Sequence, residues 1–297
     1  MPHLRTHTVR LITGLTLFIG LPAVEGIVGD TETDQYVFEV PADRGIESID
    51  VTMDLSMGNI LIGRAERDFL FQAEVALENE KLKPTFEFDA DGSEAELDVG
   101  LTTKKNENVG ITSLSSIKSS EWLLYLTDSV PLDIDLAISA AKAEVDLTGL
   151  KVRQLDLELG ASRSVLRFNR LNGIEMEMLD IEAGASEFQA YGLGNTRAKV
   201  ISFEGGIGKF LLDFGTDARL LRDRQVHIET GVASTTIFVP KAANVVLNAP
   251  DSWGMSLDMP RAFKKDDAGN WRNSSSEANA FQIFITSSIG KVQVVEK

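Results

Sequence analysis

The chain has 297 residues, 43% of them hydrophobic, which is enough to bury a continuous core and excludes a disordered tail. Its 29 basic and 45 acidic residues leave a formal charge of -16, a field that repels nucleic acid and anionic lipid headgroups. Cysteine is absent, which removes disulfide frameworks, thiolate nucleophiles, iron–sulfur clusters and thiolate zinc sites.

The N-terminus carries Arg5 and Arg10 without an acid, followed by an apolar stretch from Leu11 to Val24 with Pro22 near its end. That is the pattern of a secretory signal peptide, with cleavage expected near Gly26. The 14 apolar residues fall short of the ~20 that a spanning helix needs, so an uncleaved anchor is the second reading. His3 and His7 go with this leader, leaving His227 as the one imidazole beyond it. A polar linker follows over 27–36.

From there on, apolar and polar residues alternate with a period of two, as in Ile49-Asp50-Val51-Thr52-Met53-Asp54-Leu55 and Leu155-Asp156-Leu157-Glu158-Leu159. Such alternation marks half-buried strands, and no sustained helical period competes with it, so the expected class is all-β. The segments 132–150, 152–171, 176–193, 198–214 and 224–239 also repeat one another. Each reads as an alternating strand, a small-residue corner and a second alternating strand. The corner residues Ser139, Gly160, Gly184, Gly206 and Gly231 are spaced by 21, 24, 22 and 25 residues. Near-equal steps of this length suit coils that bury their apolar faces only by stacking. The expected architecture is therefore a single-stranded β-solenoid, right-handed and like a parallel β-helix. It would occupy 37–297, with an irregular N-terminal part (37–130), regular repeats (131–240) and a C-terminal cap with the last coil (241–297). The stretches 78–94, 102–121 and 263–280 are expected to be loop insertions, with Trp122 and Trp271 as apolar lids beside them or as ligand-stacking surfaces.

Stacking turns a repeated residue into a column. Two residues before each corner stand Ala137, Glu158, Glu182, Glu204 and Glu229, and two before those stand Asp135, Asp156, Asp180, Ser202 and His227. Glutamates ~4.8 Å apart in adjacent strands repel by about 0.9 kcal/mol per pair in bulk water. Solvation of the face relieves this, and so would a bound divalent cation. Glu158, Glu182, Glu204 and Glu229 are thus weak calcium candidates, because the tight mixed-oxygen cages and Gly-Asp turns of calcium sites are missing. No other cofactor is expected. Asp156, Asp180, Trp122 and Trp271 form the candidate binding surface, and the glutamate-bearing face and the insertions at 102–121 and 263–280 are the places where a partner is expected to bind.

Other chemistry finds little support. Gly205-Gly206-Ile207-Gly208-Lys209 lacks the Ser or Thr, the spacing and the following helix of a phosphate loop. Ser162 and Ser186 follow Gly-Ala pairs but lack the strand, Ser, helix order of a nucleophile elbow. A polysaccharide hydrolase or lyase remains the enzymatic alternative, since carboxylates are plentiful. An active site should break the repeat, however, and nothing in the sequence singles out one pair.

Leu155-Asp-Leu-Glu-Leu-Gly-Ala-Ser, echoed by Leu179-Asp-Ile-Glu-Ala-Gly-Ala-Ser, resembles the repeated unit of the bacterial toast-rack proteins and of the related cell-wall-active antibiotic response and putative adhesin (auto-transporter adhesin head-like) domains. Gly269-Asn-Trp-Arg-Asn through Phe281-Gln-Ile-Phe-Ile-Thr-Ser-Ser-Ile-Gly-Lys-Val-Gln-Val is similar to the closing segment of that group, and Glu47 to Ile62 to its opening unit. The resemblance implies an exported β-solenoid without known catalysis, linked in some members to envelope stress sensing or surface adhesion. It carries no agreed functional residues. The chain departs from membrane-attached members in lacking several transmembrane helices before the β region. The combined expectation is a periplasmic or cell-surface, non-enzymatic module that binds an envelope protein or polysaccharide and no nucleic acid. No membrane span is expected once the leader is removed.

Overall fold

A computed structural model describes residues 10–11, 33–79, 81–104, 119–215, 223–250, 253–273, 275 and 277–297. The expected leader and linker lie outside these residues apart from 10–11 and 33–36. So does most of the expected insertion at 102–121.

The alternating sequence becomes strand almost throughout. In chain order the strands are β1 (Arg10–Leu11), β2 (Asp34–Pro41), β3 (Ser48–Arg64), β4 (Phe69–Glu78), β5 (Leu82–Asp91), β6 (Glu94–Thr103), β7 (Ser119–Leu126), β8 (Pro131–Asp146) and β9 (Lys151–Leu159). They continue with β10 (Arg163–Arg167), β11 (Met176–Tyr191), β12 (Ala198–Asp213), β13 (Arg224–Val239), β14 (Asn244–Asn248), β15 (Met255–Asp258), β16 (Lys264–Lys265), β17 (Trp271–Arg272) and β18 (Ala280–Glu296). One 3-10 turn, Leu193–Thr196, is the only helical element among the described residues, and none is long and apolar enough to cross a membrane.

Each long strand has two halves that meet at a corner. The first halves of β3, β8, β11, β12, β13 and β18, with β9, pair in parallel and in register as one ladder. The second halves, with β10, form another. Period-two alternation points one set of side chains inward: in β13, Val226 and Ile228 are buried while Gln225, His227 and Glu229 face out. The inward sets of the two ladders pack on each other. Phe203 in the first half of β12 meets Phe210 in its second half edge-on at 5.1 Å, and Phe188 stacks on Phe203 at 6.0 Å. The buried apolar residues form one cluster running from Tyr36 to Val294.

At the corner, the strands approach closely enough to require glycine. A Cβ on Gly206 would lie 2.8 Å from the Gly184 carbonyl oxygen, and one on Gly231 would lie 2.7 Å from that of Gly206. Gly160, Gly184, Gly206 and Gly231 thus lie in one column, each over its predecessor.

The ends depart from the expected solenoid, in which one strand climbs in sequence order. The last strand, β18, lies between β13 and the pair β14–β15. At the other end, β3 pairs with β8 on one side and with β6 and β7 on the other. Antiparallel ladders then extend the stack: β5 on β6, β2 and β4 on β7, and β16–β17 on β14. The expected insertion at 78–94 is largely this β5–β6 hairpin, turned at Gly92 with φ +67°. The expected insertion at 263–280 holds the short β16–β17 pair. The physical reason is edge protection: a stack of open parallel coils exposes unpaired strands at both ends, and added strands with their own apolar residues cover the core. Phe38 of β2 stacks on Phe86 of β5 at 5.1 Å and closes the N-terminal end.

Candidate functional site

The carboxylate column deduced from spacing is present in the register. Ala137, Glu158, Glu182, Glu204, Glu229 and Thr286 are successive Cα partners, and so are Asp135, Asp156, Asp180, Ser202, His227 and Phe284. All four glutamates are exposed, and Asp156 and Asp180 are half-buried. Both rows sit on the outer face of the first-half ladder, because the outward positions of alternating strands repeat every two residues.

Crowding acts on the acids. Burial and the neighbouring Asp180, Asp135 and Glu158 hold the Asp156 carboxyl above its usual range. Glu182 is raised by desolvation first and then by Glu204, Glu158, Asp180 and Asp156. Arginine relieves one end of the face. Arg153 Nε donates to Asp133 Oδ1 at 2.9 Å, and its second nitrogen pairs with the other Asp133 oxygen and lies 4.0 Å from Asp50. Asp50 is still raised, by desolvation and by its contact with Asp133.

These acids lie side by side rather than converging. Among the described residues no group of three or more His, Asp or Glu side chains is placed to hold a metal ion, so the four glutamates form a row and not a cage. Asp156 and Glu182 stand on an open sheet face, and their shifts arise from desolvation first and from neighbours in the row second.

The two candidate tryptophans part company. Trp122 is fully buried in β7, opposite Ile60 on one side and Val75 on the other. It is a core residue and not a binding surface, because alternation along β7 turns its side chain inward. Trp271 is half-buried, packs against the core cluster and carries Lys265 Nζ 5.2 Å from its ring centre. The residue that stands clear of the protein is Trp253, 97% exposed.

The second-half ladder carries different chemistry. Lys142, Arg163, Glu187, Lys209, Ser234 and Lys291 are successive partners there, with Arg163 Nε 3.1 Å from a Glu187 oxygen. One face is thus strongly acidic and the other mixed.

At the C-terminal end the aspartate row changes character. His227 and Phe284 stack with centroids 5.1 Å apart and planes 11° apart, and Asn248 follows as the next partner of Phe284. Beside them opens a groove of about 400 Å3 whose lining includes Asn244, Asn248, Asn270, Arg272, Gln282 and Phe284. Asn248 Nδ2 donates to Asn270 Oδ1 at 2.8 Å, Asn244 Nδ2 donates to the Glu277 carbonyl at 3.0 Å, and Arg272 Nε donates to Asp266 at 2.6 Å. A further surface groove of about 550 Å3 lies at the turns between coils, near Tyr191, Asn195 and Asp213. Neither groove is lined by Asp156 or Glu182.

The sequence pointed to the insertion at 263–280, which supplies Asn270 and Arg272 here, but not to the groove itself. Its signal was present in the alignment: the position held by Asp135, Asp156 and Asp180 becomes His227 and then Phe284, a break in the repeat.

Residues 27–177 match the family described as the N-terminal domain of toast_rack, DUF2154. No curated protein matches the chain significantly. Among solved structures, a "putative cell adhesion protein" from Clostridium sporogenes is similar at 16% identity and a TM-score of 0.43, over 89% of this chain and 100% of its own. A "putative adhesin" from Bacteroides fragilis is similar at 12% identity and a TM-score of 0.35, over 91% of this chain and 100% of its own. A "putative lipid binding protein" from Parabacteroides distasonis is similar at 6% identity and a TM-score of 0.27, over 90% of this chain and 98% of its own.

Proposed function

The chain belongs to the toast_rack N-terminal domain family through residues 27–177, and from that premise we propose that it is an exported, non-enzymatic module of the cell envelope, structural and adhesive in role. The observation that carries this reading is the register of Asp135, Asp156 and Asp180 beside Glu158, Glu182, Glu204 and Glu229. Backbone hydrogen bonds along parallel strands hold these side chains at a repeat of ~4.8 Å. A flat array of fixed pitch meets an extended partner, protein or polysaccharide, through many weak contacts at once. Catalysis asks for the opposite geometry, a few groups converging in a cleft.

We read the central coils as a right-handed β-solenoid. Support comes from in-register parallel pairing of consecutive strands and from the right-handed rule for parallel crossovers. Export and a place in the periplasm or on the cell surface rest on the signal-like sequence of residues 1–26. A part in envelope stress sensing is the finer form of the same reading.

The test has two arms. Residues 1–30 fused to a reporter active only outside the cytoplasm are expected to give activity, and a reporter confined to the cytoplasm overturns the export reading. The purified full chain is expected to co-sediment with isolated bacterial cell-wall material, less so when Glu182 and Glu204 are both changed to Lys. Absence of co-sedimentation, or retention indifferent to that reversal, overturns the adhesive role of the acidic face.

A further inference from the structure

We propose that the groove beside Phe284 is a binding site for a neutral saccharide, an inference that rests on the adhesive reading above and supplies it with a ligand class. The argument begins with where the site falls. Along the first-half ladder the outward row is carboxylate at Asp135, Asp156 and Asp180, then Ser202, His227, Phe284 and Asn248. The repeat thus exchanges charge for an aromatic and an amide at the edge of the groove. A scaffold has no need of that change, and a site does.

The pieces match what a sugar requires. A pyranose offers a face of weakly polarised C–H groups and a rim of hydroxyls. The C–H face packs on the negative face of an aromatic ring, and the hydroxyls, each donor and acceptor, pair with planar amides. Phe284 is 39% exposed. One of its faces is covered by His227, which holds the ring parallel to itself. The opposite face turns toward the strand of Asn248, on the groove side. The ring is therefore held in place before any ligand arrives, which lowers the ordering cost of binding.

Around it stand four amides: Asn244, Asn248, Asn270 and Gln282. The Asn248–Asn270 bond uses one hydrogen of Asn248 and the oxygen of Asn270. Among the described residues the Asn248 oxygen and the Asn270 amide hydrogens meet no partner and are left for a ligand, one acceptor beside one donor pair, which is the pairing a hydroxyl wants.

Charge narrows the class. Arg272 is engaged by Asp266, Asp223 lines the same groove, and Glu229 lies two residues along from His227. An anionic sugar would enter a field already negative over the whole chain. A neutral one would not be opposed.

The test is calorimetric titration of the full chain with maltohexaose, xylohexaose, mannohexaose and chitohexaose, with tetragalacturonate as the anionic comparator. At least one neutral oligosaccharide is expected to bind with a Kd below ~10 mM. Phe284→Ala and Asn248→Ala should each weaken it about tenfold or more, Phe284→Tyr should retain it, and Trp253→Ala, outside the groove, should leave it unchanged. The proposal is overturned if no neutral probe binds, if binding survives both Phe284→Ala and Asn248→Ala, or if tetragalacturonate alone binds. A wild-type chain that sediments with cell-wall material yet binds no neutral probe sinks this inference alone and leaves the adhesive reading standing.

Discussion

Glu182 and Glu204 stand directly opposite one another on adjacent parallel strands, with Glu158 on the far side of Glu182 and Glu229 on the far side of Glu204. Like charges in such pairs oppose the stacking that the apolar residues behind them drive.

The pH dependence follows from Asp156 and Glu182, whose folded carboxyls are raised above their unfolded values. A raised acid binds its proton more tightly in the folded state. Its favourable contribution is complete below the unfolded pKa and is lost as pH rises through the folded one. The Glu182→Gln variant should therefore melt about 1–3 °C above wild type at neutral pH. The gap should close as pH falls through the carboxylate range. Thermal scans in matched buffers read both effects, and a constant gap at all pH values contradicts the assignment.

Salt probes the same face without mutation. The charge of -16 and the acid rows are screened as ionic strength rises, so Tm should climb between low salt and ~0.15 M sodium chloride. Because no described acid group is placed as a cage, calcium chloride at equal ionic strength should give the same rise, and chelator should reverse nothing. A calcium-specific increase would identify Glu158, Glu182, Glu204 and Glu229 as ligands.

The corner column makes a graded prediction. Gly206→Ala and Gly231→Ala drive a methyl to 2.8 and 2.7 Å from a carbonyl oxygen of the previous coil, whereas Gly184→Ala meets its nearest atom at 3.4 Å. The first two should lose about 1–3 kcal/mol in denaturant unfolding. The third should lose distinctly less. Equal losses would show that the coils can spread at the corner.

The tryptophans separate by spectroscopy and by mutation. Trp122 has no solvent exposure and an indole N–H without a partner among the described residues, while Trp253 is 97% exposed. Trp253→Phe should remove the red-emitting, acrylamide-quenched component and leave stability unchanged. Trp122→Ala should cost about 3–5 kcal/mol. Trp122→Phe should cost far less, since the smaller ring also discards an unsatisfied donor.

The middle of the molecule was legible in its sequence because two periods coincide there. Alternation marks the strands, and the spacing of Gly160, Gly184, Gly206 and Gly231 fixes their register, so the partners of Glu182 could be named before any coordinates. The ends were not legible, because covering an edge is a demand of the whole stack and leaves little local trace. One trace was overlooked: Asp91-Gly92 between the alternating runs of β5 and β6 is a hairpin signal, hidden within a stretch dense in charge. Trp122 was misplaced for a related reason. Its neighbours on the N-terminal side are polar, whereas its burial comes from β3 and β4, distant in sequence. The groove as a whole was not legible because its amides come from β14, β18 and the loop before β17, which only the fold assembles.

The seat of β18 also sets an order of events. The ribosome makes β14 and β15 before the strand they rest on exists, so residues 244–248 and 255–258 must wait for 280–296 to slide in between them and β13. Until then β13 presents an open edge, and a second nascent copy offering the same closing strand would fit it equally well. Crowded synthesis should therefore favour exchange of this segment between molecules.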